Sequence, residues 1–370
     1  MNIKTSYSVN QNLDNAINEI SNGLNDINPK AVLYFGSSNF DHNELSNKMQ
    51  TAFGDALVFG CTTSGEITSG KMLDNSVVAM GFNSMVVQDI KIEVLENITN
   101  DSNAAVEKAF KAFENHYGIS MSELDTKKHV GLILVDGLSG SEERIMDRIG
   151  DLTNIPFIGG SAGDDLKFKQ THVFANGKAY SNSALLVLIK VAVPFDFIKT
   201  QSFKPLKKTL TATKVNEARR EVIEFNNQPA VQEYASALGI QSEKTPDYFM
   251  TNPVGLMVGD EPYVRSPQQV EGNSIIFYCN ILENTELTLL QSENIIDGTK
   301  KALENKGKEF GKFSGIINFN CILRTLELKA NQQTDAYGQL FSEVPTVGFS
   351  TYGEEFIGHI NQTATILVFK

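Results

Sequence analysis

Two short stretches concentrate residue types able to hold a ligand. GIINFNCILRT (315–325) sets Asn318, Asn320, Cys321 and Arg324 among strongly apolar neighbours. A guanidinium in such company needs a partner, because an unpaired buried charge is strongly destabilising. The partner is either an acidic side chain of the chain itself, with Glu354 the candidate, or the carboxylate of a ligand, which a planar guanidinium grips at two points. GFSTYGEE (348–355) follows an apolar run and brings Ser350, Thr351, Tyr352 and Glu354 together at what reads as the end of a strand, where open α/β sheets commonly hold ligands. Arg265, in PYVRSP, is a second guanidinium. An arginine for a carboxylate, with Glu354 or Asp260 for an ammonium, would suit an amino acid.

Other chemistries are weaker. GGSAG (159–163) satisfies G-x-S-x-G, and Ser161, an acidic residue and His359 would follow the chain order of a hydrolase triad. That motif requires a helix next, whereas DDLKFKQTHVFANGKAYSN reads as a β-hairpin with an Asn-Gly turn. A hydrolase using Ser161 or the Cys321 thiol is therefore the third reading. Cys61, Cys279 and Cys321 all fall in apolar strand-like runs and read as inert reduced thiols. No CxxC, HExxH, close histidine pair, Walker loop or G-x-G-x-x-G is present, which disfavours zinc and nucleotide sites. Ser139 and Glu142 stand at capping-box spacing, the alternative being an anion cradle at a helix start. Of the five histidines, His359 and His172 each follow a glycine turn and are the two candidates for an axial haem ligand; no CxxCH offers covalent attachment.

These motifs sit in a repeated unit. The strand-like KAVLYFGSS, a helix-length polar stretch and the strand ALVFG lead into a turn at Gly60; HVGLILVDG, SEERIMDRIGDL and an apolar run lead into a turn at Gly159; GIINFNC and a more irregular insert lead to Gly348. Each copy reads strand, helix, strand, glycine turn, and further strands follow each turn. GCTTSGE, GGSAGDD and GFSTYGE are related turns with different central residues, which also fits a plain chain-reversing device in which glycine supplies positive φ and hydroxyls bind backbone amides. Amphipathic helices are expected over 102–118 and 294–310, and another over VNEARREVIEF (215–225). The fold class expected is α/β (α+β): mixed β-sheets flanked by helices, in two related halves. The break is placed in the polar, Lys-rich TQSFKPLKKTLTAT, giving domains 1–205 and 206–370.

The 370 residues carry a net charge of −12, which excludes a sequence-independent grip on nucleic acid or an anionic membrane. No apolar run is long enough to span a membrane, and the start lacks the apolar region of a secretory signal, so a cytoplasmic location is expected.

The chain resembles the FIST (F-box and intracellular signal transduction) sensory domain family through GCTTSGEI, VDGLSGSEE, GGSAGDD with THVFANGKAYSNSALL, NQPAVQEYASALG, NFNCILR and GFSTYGEEFIGHINQT, in that order over nearly the whole length. The resemblance implies a non-enzymatic sensor of a small ligand, amino acids first among them. The site residues expected are Arg265, Asn320, Cys321, Arg324, Ser350, Thr351, Tyr352 and Glu354, with no cofactor. Some members resemble haem-based nitric oxide sensors, which makes haem b on His359 or His172 the alternative. No kinase, cyclase or methyl-accepting segment is seen, so output is expected through a partner such as a histidine kinase or cyclic-nucleotide enzyme; a homodimer is left open.

Overall fold

The computed structural model describes residues 2–370. The chain divides into two compact units, residues 1–199 with 300–359 and 364–370, and residues 200–299 with 360–363. The expected α/β class with mixed sheets holds. All three strand-helix-strand-turn copies lie in the first unit. A linear division at 205/206 therefore differs from the spatial one, since the chain leaves the first unit at Thr200 and returns at Lys300.

Three sheets of six strands in the first unit share one plan. At the centre of each is the parallel pair of a repeat: Ala31–Ser37 with Leu57–Thr63, His129–Val135 with Phe157–Ser161, and Gly315–Cys321 with Thr346–Thr351. On one side of each pair lies an antiparallel strand, Val77–Phe82, Ser183–Val191 or Thr363–Phe369. On the other side lies a hairpin, and it never comes from the repeat it joins. The hairpin after the first turn (Glu66–Thr68, Lys71–Leu73) pairs with the third repeat, Glu66 opposite Phe349. The one after the third turn (Glu354–Phe356) pairs with the second, Glu354 opposite Gly160. The one after the second turn (Val173–Ala175, Lys178–Tyr180) pairs with the first, Val173 opposite Cys61. The exchange closes a cycle, and each repeat completes its neighbour's sheet.

Packing follows from burial. The parallel strands are buried on both faces, as such pairs usually are. Residues of all three sheets form one core cluster, within which the Phe35, Phe319 and Phe349 rings meet at 4.5–6.3 Å between centroids. The opposite faces of the first two sheets bury helices Leu13–Leu24 and His42–Phe53, and Ile98–Tyr117 and Glu142–Leu152. Glycine is required where the parallel strands enter the turns. A Cβ on Gly60, Gly159 or Gly348 would lie 1.7, 1.7 or 2.1 Å from the carbonyl oxygen of Tyr34, Ile133 or Asn318 on the paired strand. These three positions therefore align the repeats.

The second unit is an antiparallel sheet ordered Glu261–Arg265, Val254–Val258, Glu286–Ser292, Phe203–Asn216, Glu221–Phe225, Ser274–Phe277, Pro267–Glu271. Helix Ala230–Leu238 packs on it through Val231 and Tyr234, against Phe225, Phe277 and Leu289. The helix expected over 215–225 is not formed. A 3-10 turn ends at Arg220 in the left-handed region (φ 51°), and Glu221–Phe225 forms a strand between two antiparallel partners. Sheet pairing overrides a weak helical period there. The capping box expected of Ser139 and Glu142 is also absent: Ser141 is the cap residue without a side-chain cap bond, and Glu142 turns inward, 3% exposed.

Candidate functional site

The three glycine turns meet at the carboxyl ends of the three parallel pairs. In each, one hydroxyl residue exchanges backbone bonds with a neighbouring repeat. The Ser350 amide donates to the Gly65 carbonyl (2.8 Å) and the Ser350 carbonyl accepts from Ser64 (3.3 Å). The Ser161 amide donates to Gly353 (2.8 Å) and its carbonyl accepts from Tyr352 (3.1 Å). The Thr62 amide donates to His172 (2.9 Å) and its carbonyl accepts from Gly163 (3.0 Å). Thr62, Ser161 and Ser350 are thus equivalent, and each heads a different polar station.

At the third station, Ser350 Oγ and Thr325 Oγ1 lie 2.8 Å apart at the base of a cleft of about 240 Å³, walled by Met72, Leu73, Asp74, Lys329 and Thr334. Helix Ile322–Ala330, which follows the central strand directly, supplies Thr325 and Lys329; the hairpin from the first repeat supplies Leu73, with Asp74 just beyond it. Lys329 Nζ and Asp74 Oδ1 form a 2.8 Å ion pair at the rim, both about half exposed. Beneath the hydroxyls, Asn320 Nδ2 donates to Thr325 Oγ1 (3.0 Å), while Asn320 Oδ1 accepts from Arg324 Nε (2.9 Å) and Tyr337 Oη (3.0 Å). Tyr337 is held protonated mainly by burial, with Arg324 and Glu354 opposing one another in their effect on it. Arg324 is 2% exposed and Glu354 wholly buried. The guanidinium therefore supports the cleft from below.

The structure thus brings Asn320, Arg324, Ser350 and Glu354 into one network or its immediate surroundings. Cys321 is a buried thiol outside any disulfide. Thr351 Oγ1 donates to the Ser161 and Gly353 carbonyls (2.8 and 2.6 Å) and so joins two turns. Tyr352 faces the second turn: its hydroxyl donates to Asp164 Oδ1 (2.5 Å) and accepts from the Leu166 amide (2.9 Å), and its ring stacks on Phe168. Arg265 belongs to the second unit, where it donates to its neighbour's carbonyl at Val264 (3.3 Å). Asp74, Thr325 and Lys329 carried no local signal; Lys329 and Asp74 lie 255 residues apart.

The second station is buried and charged. Ser161 Oγ donates to Glu142 Oε1 (3.2 Å) and, at the limit of bonding, to Glu355 Oε1 (3.5 Å), and His359 Nδ1 meets the same Glu355 oxygen at 2.8 Å. Burial disfavours the imidazolium, but Glu355, with Glu143 and Glu142 behind it, more than reverses this and holds His359 up at about 9. Burial raises the Glu355 carboxyl. The serine and the histidine share a carboxylate and do not bond each other, and Phe157–Ser161 runs on to the hairpin rather than to a helix; neither feature of a nucleophile elbow is present. Near the first turn, Glu66 is also buried, accepting from Ser76 Oγ (2.6 Å) and Thr63 Oγ1, and burial pushes it up to about 8.

Haem fits neither histidine. His359 is enclosed, with Gly353 so close that a Cβ there would lie 2.1 Å from Cε1. His172 has its ring covered by His42, centroids 4.3 Å apart. That contact brings together two histidines from different repeats, where the sequence shows no close pair.

The FIST N domain model matches residues 30–228 and the FIST C domain model residues 230–356. An uncharacterized protein of Methanocaldococcus jannaschii is 24% identical over 271 residues, covering 66% of this chain and 51% of that protein; the chain thus spans about half the length of this curated relative. No helix among the described residues is long and apolar enough to cross a membrane.

Proposed function

The chain belongs to the FIST family, a sensory domain family linked to signal transduction, and from that premise we propose that it is a non-enzymatic sensor whose cleft over Thr325 and Ser350 takes an amino acid or a similar small carboxylate. The observation carrying this reading is the pairing of opposite charges at the rim, Asp74 and Lys329, over a floor of two hydroxyls. A zwitterion presents the complement of each: carboxylate to Lys329, ammonium to Asp74, and its polar atoms to the hydroxyls. The rim pair is half exposed and contributes about 0–1 kcal/mol, so a ligand loses little by replacing it. The cleft is smaller than the roughly 300–1,000 Å³ of drug-sized sites, which favours a ligand of amino-acid size.

The walls come from different repeats, so a bound ligand would tie the hairpin of residues 66–73 to helix Ile322–Ala330. It would shift the protein between two states only by binding one better than the other. The output would pass to a partner protein, a histidine kinase or a cyclic-nucleotide enzyme, in the cytoplasm.

The test is a calorimetric screen of the twenty amino acids and small mono- and dicarboxylates. We expect one class to bind, with affinity falling at least tenfold in Lys329→Ala and in Asp74→Ala. Binding of a carboxylate unaffected by both substitutions would overturn the assignment of this cleft.

A further inference from the structure

At the first station, His172 precedes strand Val173–Ala175 and is fixed by its backbone on both sides of Thr62: its amide donates to Thr62 Oγ1 (3.0 Å) and its carbonyl accepts from the Thr62 amide (2.9 Å). The loop before it wraps around Asp164, whose carboxylate accepts from the amides of Phe168, Lys169 and Gln170 (2.7–3.1 Å). His42 opens helix His42–Phe53, whose cap is Asp41. The two imidazoles lie 4.3 Å apart, their planes at 40°. Nδ1 of His42 and Nδ1 of His172 are both buried with no hydrogen-bond partner. A buried polar atom left unpaired is destabilising, and two in adjacent rings call for an explanation. The first sheet could have brought any pair of side chains to this place; it brings two nitrogen ligands.

We propose that Nδ1 of His42 and Nδ1 of His172 bind a divalent late first-row transition-metal ion, with water completing its coordination. Among the described residues no group of three His, Cys, Asp or Glu side chains is placed to hold a metal ion, so the protein would supply two ligands here and solvent the others. A nitrogen–metal bond of about 2.0–2.1 Å puts each ring centre about 3.2 Å from the ion. Centres 4.3 Å apart then subtend about 85°, close to the right angle of square-planar or octahedral coordination and below the roughly 109° of a tetrahedron. For an ion held by both rings at this separation, that angle favours nickel or copper over zinc. The Gln170 amide nitrogen lies 3.5 Å from His42 Nε2, on the other edge of the ring from Nδ1. Asp41 and Asp136 favour a cation here and Lys167 opposes it, though its ammonium is engaged by Ser38 and Asn39.

The experiment is calorimetric titration of the full chain with Ni²⁺ and Cu²⁺, with Zn²⁺ for comparison, in wild type, His42→Ala, His172→Ala and, as control, His116→Ala, which removes an exposed His–Asp pair. One ion per chain is expected, weakened at least tenfold by either station variant and unchanged by the control. Electron paramagnetic resonance of the Cu²⁺ form should show two nitrogen ligands in wild type, which tests the site without any substitution. Binding absent from wild type, binding undiminished in His42→Ala or His172→Ala, or a copper spectrum with oxygen ligands alone would overturn the proposal.

Discussion

Replacing His359 by Gln should flatten the alkaline limb of the stability curve. His359 is enclosed beside Glu355 at 2.8 Å, and its half-titration point moves from an ordinary 6.5 to about 9 in the folded chain. A group raised on folding binds its proton more tightly in the native state, so its contribution is complete below pH 6.5 and disappears as pH rises through about 9. That displacement corresponds to about 3 kcal/mol. Glu66, raised to about 8, carries the same sign over its own window between about 4.5 and 8, but it is common to both proteins and cancels in their difference. The assay is urea unfolding of wild type and His359→Gln at half-unit steps from pH 6 to 10. The wild type should lose more than the variant between pH 6.5 and 9, by up to about 3 kcal/mol, since Glu355, no longer held down by His359 in the variant, offsets part of the difference, and ring-carbon NMR should show one histidine titrating near 9. Parallel curves, or a histidine titrating near 6.5 at this position, would refute the reasoning.

Three further outcomes follow from the same geometry. Gly159→Ala, whose new methyl would sit 1.7 Å from the Ile133 carbonyl oxygen, should prevent the second parallel pair from closing; circular dichroism and soluble yield report this, and a well-folded variant would contradict it. Phe319→Ala, in the aromatic trio where the three sheets meet, should cost about 3–5 kcal/mol by urea titration. Asp164→Ala removes the acceptor of three loop amides and of the Tyr352 hydroxyl, so trypsin should cut at Lys167 and Lys169 markedly faster than in wild type.

Much of the first unit was legible in the residues because its signals are local. Apolar runs ending in glycine mark the parallel strands, and Asn176-Gly177, both at positive φ, marks a hairpin. The family followed from motifs in order along the chain. What failed locally did so where a distant partner outweighed propensity, as at Glu221–Phe225, taken by neighbouring strands, and at Glu142, drawn inward toward Ser161.

The sequence by itself determined the three repeats, their class of fold and the glycines that let paired strands approach. Only the tertiary structure decided which hairpin completes which sheet. That exchange depends on long-range pairings that no local period encodes, such as Glu66 with Phe349 and Val173 with Cys61. It is the exchange that sets Asp74 against Lys329, His172 against His42 and Glu355 against Ser161, while the apolar surroundings of Arg324, which suggested a ligand, reflect its place beneath the cleft. Side-chain chemistry is written in each residue; its meeting point is set by the closure of the cycle.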